Sequence, residues 1–174
     1  MNNPRELLVS FISLVLILAG TYFFARSFGG LFAGAPYVPV RKKDIDDAMS
    51  LAKLKPGEWL TDLGCGDGRV LLGGLSHGAN VVGYEISPVL AWISRFRVRR
   101  FKDRATVLRK NFFYEDLSKF DVLCIFALIR LMPRLEEQLN RQAKPGARVV
   151  SFAFDMPGWK LVEQKGMAKL FVKP

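Results

Sequence analysis

The feature that most constrains this 174-residue chain is a bare turn between an apolar run and a helical one: "EWLTDLG" followed by "CGDGRVLLGGLSHG", Glu58 to Gly78. Trp59 to Leu63 reads as a buried strand, Gly64, Gly66 and Gly68 leave the turn without side chains, and a helix begins at Arg69. Similar units recur. "NVVGYEI" is a second strand, and Ser87 with Pro88 caps a helix through "VLAWISRFRVRRF". "ATVLRKNFF" and "DVLCIFALI" are a third and fourth strand, Pro133 opens a helix carrying Leu135 and Leu139, and "KPGARVVSFAF" is a fifth strand. Two short pieces, "KLVEQ" and "AKLFVK", flank Lys165 and Gly166 as a hairpin. Ahead of all these, Ile45, Ala48, Met49 and Ala52 recur at helical spacing behind a possible cap at Asp44, and Pro56 and Gly57 end the pattern.

Alternating strands and helices of this length imply α/β architecture: a Rossmann-like, doubly wound, mostly parallel seven-stranded sheet closed by a C-terminal antiparallel hairpin. A transmembrane helix is expected to precede it. From Leu7 to Ala25 the chain carries no charge. A helix of that length reaches about 28 Å, near the roughly 30 Å thickness of a bilayer's hydrocarbon. A secretory signal peptide is the rival reading, but the nearest small-x-small site, Ala33 to Ala35, lies well past the apolar run. Tyr22, Phe23 and Phe24 stand where an interfacial aromatic belt would. Arg5 precedes the span beside Glu6, while Arg26, Arg41, Lys42 and Lys43 follow it, which places the remaining chain on the cytoplasmic side or its topological equivalent. Residues 1–30 are thus read as the anchor, 31–44 as a linker containing Gly and Pro, and 45–174 as one domain.

The net charge of +10 favours anionic surroundings: lipid headgroups, nucleic acid or an acidic protein face. Much of it lies between Arg95 and Arg104, where Arg95, Arg99 and Lys102 share a helix face that is either simply solvated or grips anions. Cys65 and Cys124 lie in or beside apolar runs without the spacing of a disulfide framework, which suits a reducing compartment. No metal site is expected, since only His77 could join them, and His77 reads as a helix-end residue.

Ligands of open parallel sheets sit beyond the carboxyl ends of the strands, which is where the glycine turn falls. Glu85 ends the next strand, 23 residues after Asp62, where a carboxylate can accept both hydroxyls of a ribose. Together these mean an adenosine-containing ligand. A nicotinamide dinucleotide wants G-x-G-x-x-G and donors for its pyrophosphate. Here the spacing is G-x-G-x-G, with Asp62 before it and Asp67 within it. A P-loop is excluded, because no Gly-Lys-Ser/Thr follows. S-adenosyl-L-methionine carries a sulfonium and an ammonium, so acids at the turn favour it.

At these residues the chain resembles a class I S-adenosylmethionine-dependent methyltransferase, with "DLGCGDG" the specific part of the match. Over "GAPYVPV", "GYEISPVLAWISRFRVRR", "LSKFDVLCIFAL" and "AKPGARVVSFAF" with "PGW", it is similar to the small membrane-anchored protein-lysine methyltransferases that modify the ATP synthase c-subunit and the adenine nucleotide translocase. The resemblance implies that Asp62 and the main chain of Gly64 and Gly66, in a turn completed by Gly68, hold the methionine part. It further implies that Glu85 takes the ribose, that Ile86 lies on the adenine and that Asn111 meets the adenine edge. Val40 departs from the pattern, standing where the family often has Thr, and Asn111 stands where Asp is usual.

Methyl transfer to an amine requires positioning and a desolvated approach more than a catalytic triad, and no particular catalytic residue is singled out. Phe126 to Leu128 and the Pro157 to Trp159 loop are candidate walls of an acceptor channel, with Phe126 and Trp159 as substrate-binding candidates. Residues of that kind also serve as core. No lid follows the fifth strand, which suits an acceptor side chain on a macromolecule. The function implied is protein-lysine methylation of a membrane-associated protein, with the bilayer and that protein as partners and no nucleic acid. A lipid or quinone methyltransferase, a non-catalytic cofactor-binding assembly factor and a dehydrogenase are the alternatives.

Overall fold

A computed structural model describes residues 4–33 and 38–174, with side chains described for 4–22 and 38–174. One helix, α1 (Pro4–Ala33), precedes α2 (Lys42–Ala52), β1 (Trp59–Leu63), α3 (Arg69–Ser76), β2 (Asn80–Tyr84), α4 (Pro88–Val98), β3 (Ala105–Leu108), β4 (Val122–Ile125), α5 (Met132–Gln142), β5 (Arg148–Phe152), β6 (Leu161–Lys165) and β7 (Ala168–Val172). The seven strands form one sheet in the order β3-β2-β1-β4-β5-β7-β6, parallel from β3 to β5, with β7 antiparallel to both β5 and β6.

Strand residues alternate between two cores. Leu60, Val81, Cys124 and Val150 face α2, α3 and α4, packing with Ile45, Met49, Leu71 and Ala91. Leu63, Val82, Leu123 and Val149 face α5, packing with Leu135, Leu139, Phe120 and Trp159. Because β1, β2, β4 and β5 are buried on both sides, they are near-continuous apolar runs, which is why they are legible as strands. Gly83 in β2 lets Cys65 and Leu71 close onto the sheet: a Cβ there would lie 2.6 Å from the Cys65 sulfur and 2.7 Å from Leu71.

Several expectations shift. β3 and β4 stop at Leu108 and Ile125, and the apolar residues beyond them form short 3-10 turns, Phe112–Tyr114 and Ile129–Leu131. Asp44 is not a helix cap. α2 starts at Lys42 inside the expected linker, and Asp44 in its first turn pairs with Arg41 at 2.8 Å. α1 continues through Gly29 and Gly30 to Ala33, past the expected end of the anchor at residue 30, while the linker stretch 34–37 and the side chains of Phe23, Phe24 and Arg26 lie outside the described residues. Pro4–Tyr22 of α1 is long and apolar enough to cross a membrane, and no part of that segment is buried.

Candidate active site

The ladder registers build the site. Leu63 of β1 pairs with Tyr84 of β2 and with Ile125 of β4, so the next residue on each strand, Gly64, Glu85 and Phe126, stands in one row at the carboxyl edge of the sheet. Two sequence-distant carboxylates and the glycine turn are thereby brought together.

Glu85 is buried, and its carboxylate is clamped: Oε2 accepts the Gly66 amide at 2.9 Å and Oε1 accepts the Ser87 amide at 2.7 Å. Each carboxylate oxygen has a further lone pair for a hydroxyl donor. Ser87 also caps α4, accepting from the Leu90 amide, so the acid, the turn and the next helix are held as a unit. Ile86, 36% exposed between them, presents an apolar side chain at the same edge.

Asp62 lies on the α2–α3 side of β1, is 4% exposed, and accepts no hydrogen bond among the described residues. Burial, with Glu85 and Asp67 adding repulsion, pushes its carboxyl up to about 8. A buried acid without a donor is costly unless it is protonated or meets a cation.

The turn's own polarity points the same way. The amides of Gly64 and Cys65 both donate to the Tyr84 carbonyl at 2.9 Å, that of Gly66 to Glu85, and that of Gly68 to the Cys65 carbonyl at 2.8 Å. Among the described residues nothing donates to the carbonyls of Gly64 and Gly66. A diphosphate needs free N–H groups at the turn. Four of this turn's amides are spent, and it offers carbonyl acceptors beside a buried carboxylate, an acceptor set that fits an ammonium or sulfonium.

The glycines divide by role. Gly64 has φ +96° and a Cβ there would meet open space, so its bareness keeps the crevice clear. Gly68 has φ +82° and a Cβ would lie 2.4 Å from the Ser94 hydroxyl, so it is required by the packing of α4. Asp67, expected to add negative charge for the ligand, is instead neutralised: it is buried and pairs with Arg69 at 2.8 Å and with Arg97 of α4. Arg69 also donates to the Val40 carbonyl at 3.0 Å, strapping the segment before α2 to the glycine turn. Sequence reasoning missed this strap, because its parts lie about thirty residues apart on either side of Asp67 and carry no motif.

Other candidates are placed as follows. Asn111 lies exposed beyond β3, its side-chain oxygen accepting from the Phe113 amide at 3.1 Å, so it shapes its own turn. Phe126 is half-buried, edge-on to Phe152, next to the crevice. Trp159 is 8% exposed, packs in the α5-side core and donates its indole N–H to Asn140 at 3.0 Å. Of the two roles open to it, channel wall or core, its ring takes a place in a core, pinned there with the preceding Gly158 amide on Glu136. Among the described residues no cluster of His, Cys, Asp or Glu could hold a metal.

A seven-stranded sheet of this order, with an acid, a glycine turn and a second acid at the ends of two adjacent parallel strands, defines a class I S-adenosylmethionine-dependent methyltransferase fold. Residues 62–163 match the family model of the ANTKMT methyltransferase domain, and the chain belongs to that family. The human lysine N-methyltransferase of the ATP synthase c-subunit is 33% identical over 129 residues, 71% of this chain and 54% of that protein. The protein-lysine N-methyltransferase of Saccharolobus islandicus is 32% identical over 128 residues, 71% of this chain and 80% of that one. This chain spans about half the length of the mouse and human relatives. A solved RNA methyltransferase of Salinibacter ruber, in complex with S-adenosyl-L-homocysteine, superposes with a TM-score of 0.72 at 30% identity, covering 78% of this chain and 92% of its own.

Proposed function

We propose that this chain is a protein-lysine N-methyltransferase using S-adenosyl-L-methionine, and that α1 holds it in a membrane as a single pass, its domain on the cytoplasmic side or the equivalent, acting on a membrane-associated protein. The observation that carries the reading is the presence, at the carboxyl ends of adjacent strands, of the buried Asp62, which accepts no hydrogen bond among the described residues, and the clamped Glu85. S-adenosyl-L-methionine, when bound, supplies an activated methyl carbon. Asp62 and the carbonyls of Gly64 and Gly66 hold its cationic amino-acid end, Glu85 its ribose hydroxyls, and Ile86 the adenine face.

The chain's own contribution is position and dryness. Phe126, Ala127 and Leu128 carry apolar side chains past the end of β4, beside Gly64. An acceptor amine brought there loses hydration, which disfavours its charged form and makes it a nucleophile nearer neutral pH. Support for lysine as acceptor comes from the named activities of the relatives, and support for a membrane location from α1.

The test is methyl-labelled cofactor given to membranes and extracts lacking this protein, with the purified chain added back and label read in protein, lipid and RNA fractions. Label on a lysine of a membrane protein, located by mass spectrometry, is the expected result. Label confined to lipid or to RNA overturns the acceptor assignment, and no label in any fraction overturns the enzyme.

A further inference from the structure

We propose that the exposed face of α4 is a docking surface for an anionic phospholipid bilayer, seating the domain flat on the membrane that α1 enters. The inference rests on the proposed anchoring by α1 and goes beyond it, since a tether alone leaves the domain free to tumble.

Trp92 and Phe96, successive turns of α4, are 65% and 55% exposed and stack on each other with ring centroids 6.1 Å apart. Arg99 lies over the Phe96 ring, 3.7 Å from its centroid. Behind them an open groove of about 520 Å³ is lined by Leu72, Ile93, Phe96, Arg97, Arg99, Arg100 and Phe101, apolar side chains beside guanidinium groups. Stacked aromatics exposed to water are a poor solvated face. Amphipathic aromatic rings next to arginines are what the headgroup layer accommodates, with the rings at the acyl boundary and the charges at phosphate depth. From Pro88 to Arg104 the sequence holds six basic residues and one acid, Asp103. Arg99, Arg100 and Lys102 form no ion pair among the described residues and are left to solvent, whereas Arg95 donates to the Val107 carbonyl of β3 at 3.0 Å. Arg97 of the same helix is excluded from this set because it is spent on Asp67.

Position relative to the anchor selects a bilayer over an acidic protein. Val40 is strapped by Arg69 to the turn that Arg97 of α4 also grips. Six residues separate the end of α1 at Ala33 from Val40, seven steps with a reach of at most about 25 Å. The helix that carries the aromatic–basic face is therefore linked, through Arg97, Asp67 and Arg69, to the segment where the domain meets its tether.

The experiment uses the full chain reconstituted in vesicles of phosphatidylcholine with and without phosphatidylglycerol. Acyl-brominated lipids read the depth of Trp92, by difference against Trp92→Phe, and alkaline carbonate extraction reads insertion of α1 separately. The expected result is quenching of the Trp92 component in phosphatidylglycerol vesicles, weakened when Arg99→Gln and Arg100→Gln are combined. That pair should shift the docked-to-undocked ratio by about 30-fold, taking roughly fivefold for each base at an anionic surface. Unchanged thermal melting of the variants shows that they fold. A carbonate-resistant chain whose Trp92 is unquenched, or equally quenched without anionic lipid, overturns the docking face and leaves the anchor standing. A carbonate-extracted chain with quenched Trp92 supports the face and removes the anchor, and an extracted, unquenched chain removes both. Cross-linking of α4 to a second copy or to an acidic protein, in place of lipid contact, also overturns it.

Discussion

Glu85 accepts the amide hydrogen of Gly66 at 2.9 Å, so the acid ending β2 and the turn following β1 are one mechanical unit. Its other oxygen holds the Ser87 amide at 2.7 Å. Glu85→Gln turns one of these acceptors into a donor facing a donor, and Glu85→Ala leaves two backbone N–H groups without their partner. Both variants should lower unfolding stability by about 1–3 kcal/mol, the cost of an unsatisfied buried donor. Affinity for S-adenosyl-L-homocysteine should fall further, by about 100-fold or more, since two hydrogen bonds to a charged acceptor are lost at roughly 1.5–3 kcal/mol each. Calorimetric titration beside thermal melting checks both. Stability lost with affinity retained would remove Glu85 from the ligand site.

Asp62 should make both ligand binding and stability depend on pH, in opposite senses. Burial, then Glu85 and Asp67, raise its carboxyl from an ordinary value of 3.8 to about 8. Between those values the ligand-free folded chain holds a proton that the unfolded chain has released, so this group's contribution to stability is fully present below about 4 and is lost as pH rises through about 8. A cationic ligand wants the carboxylate. Its affinity should therefore rise with pH up to about 8, by close to tenfold per unit, with release of up to one proton on binding at neutral pH. Titrating S-adenosyl-L-methionine in buffers of different ionisation enthalpy counts that proton. Asp62→Asn should abolish both the proton release and the stability slope; a slope that survives in the variant belongs to another group.

The turn's glycines should separate under substitution. Gly64→Ala meets no neighbour and bears only the strain of φ +96°, about 1–2 kcal/mol, yet it puts a methyl into the crevice. Its ligand affinity should fall by more than its stability does. Gly68→Ala sets a methyl 2.4 Å from the Ser94 hydroxyl at φ +82° and should be the more destabilising of the two. Adding Ser94→Gly should return part of that loss, because the nearest clash is with the side chain removed. Melting curves of the two single variants and the double variant decide it.

What is legible in the chain follows from where its information is local. β1, β2, β4 and β5 are buried on both faces and so announce themselves as apolar runs, and the row of Gly64 and Glu85 follows once those strands are parallel neighbours. Element ends are less legible. "ATVLRKNFF" keeps its apolar residues to Phe113, but the Asn111 side chain captures the Phe113 amide and Gln138 of α5 captures the Phe112 carbonyl, turning the chain out of the sheet. Asp67 misleads for a physical reason too. Its charge balance is set by Arg69 and by Arg97, on α4, and no spacing rule within the turn reveals a partner thirty residues away.

Phe126 and Trp159 give the remaining prediction, because both are sequence candidates for the acceptor channel and the fold treats them differently. Trp159 is buried, its indole N–H held by Asn140 and its ring among the α5-side core. Trp159→Phe should cost about 1–3 kcal/mol of stability, through the lost ring volume in the α5-side core, and leave the KM for the acceptor unchanged. Phe126 stands half-buried at the end of β4, next to Gly64 and edge-on to Phe152 at 6.2 Å. Phe126→Ala should raise the KM for the acceptor and move the alkaline pH at which transfer sets in upward, because a wetter approach lowers the amine's pKa less. Steady-state kinetics across pH with a lysine-bearing acceptor separate the two residues. A KM effect at Trp159 with none at Phe126 would put the acceptor on the α5 side of the sheet, where the packed core has no room for it.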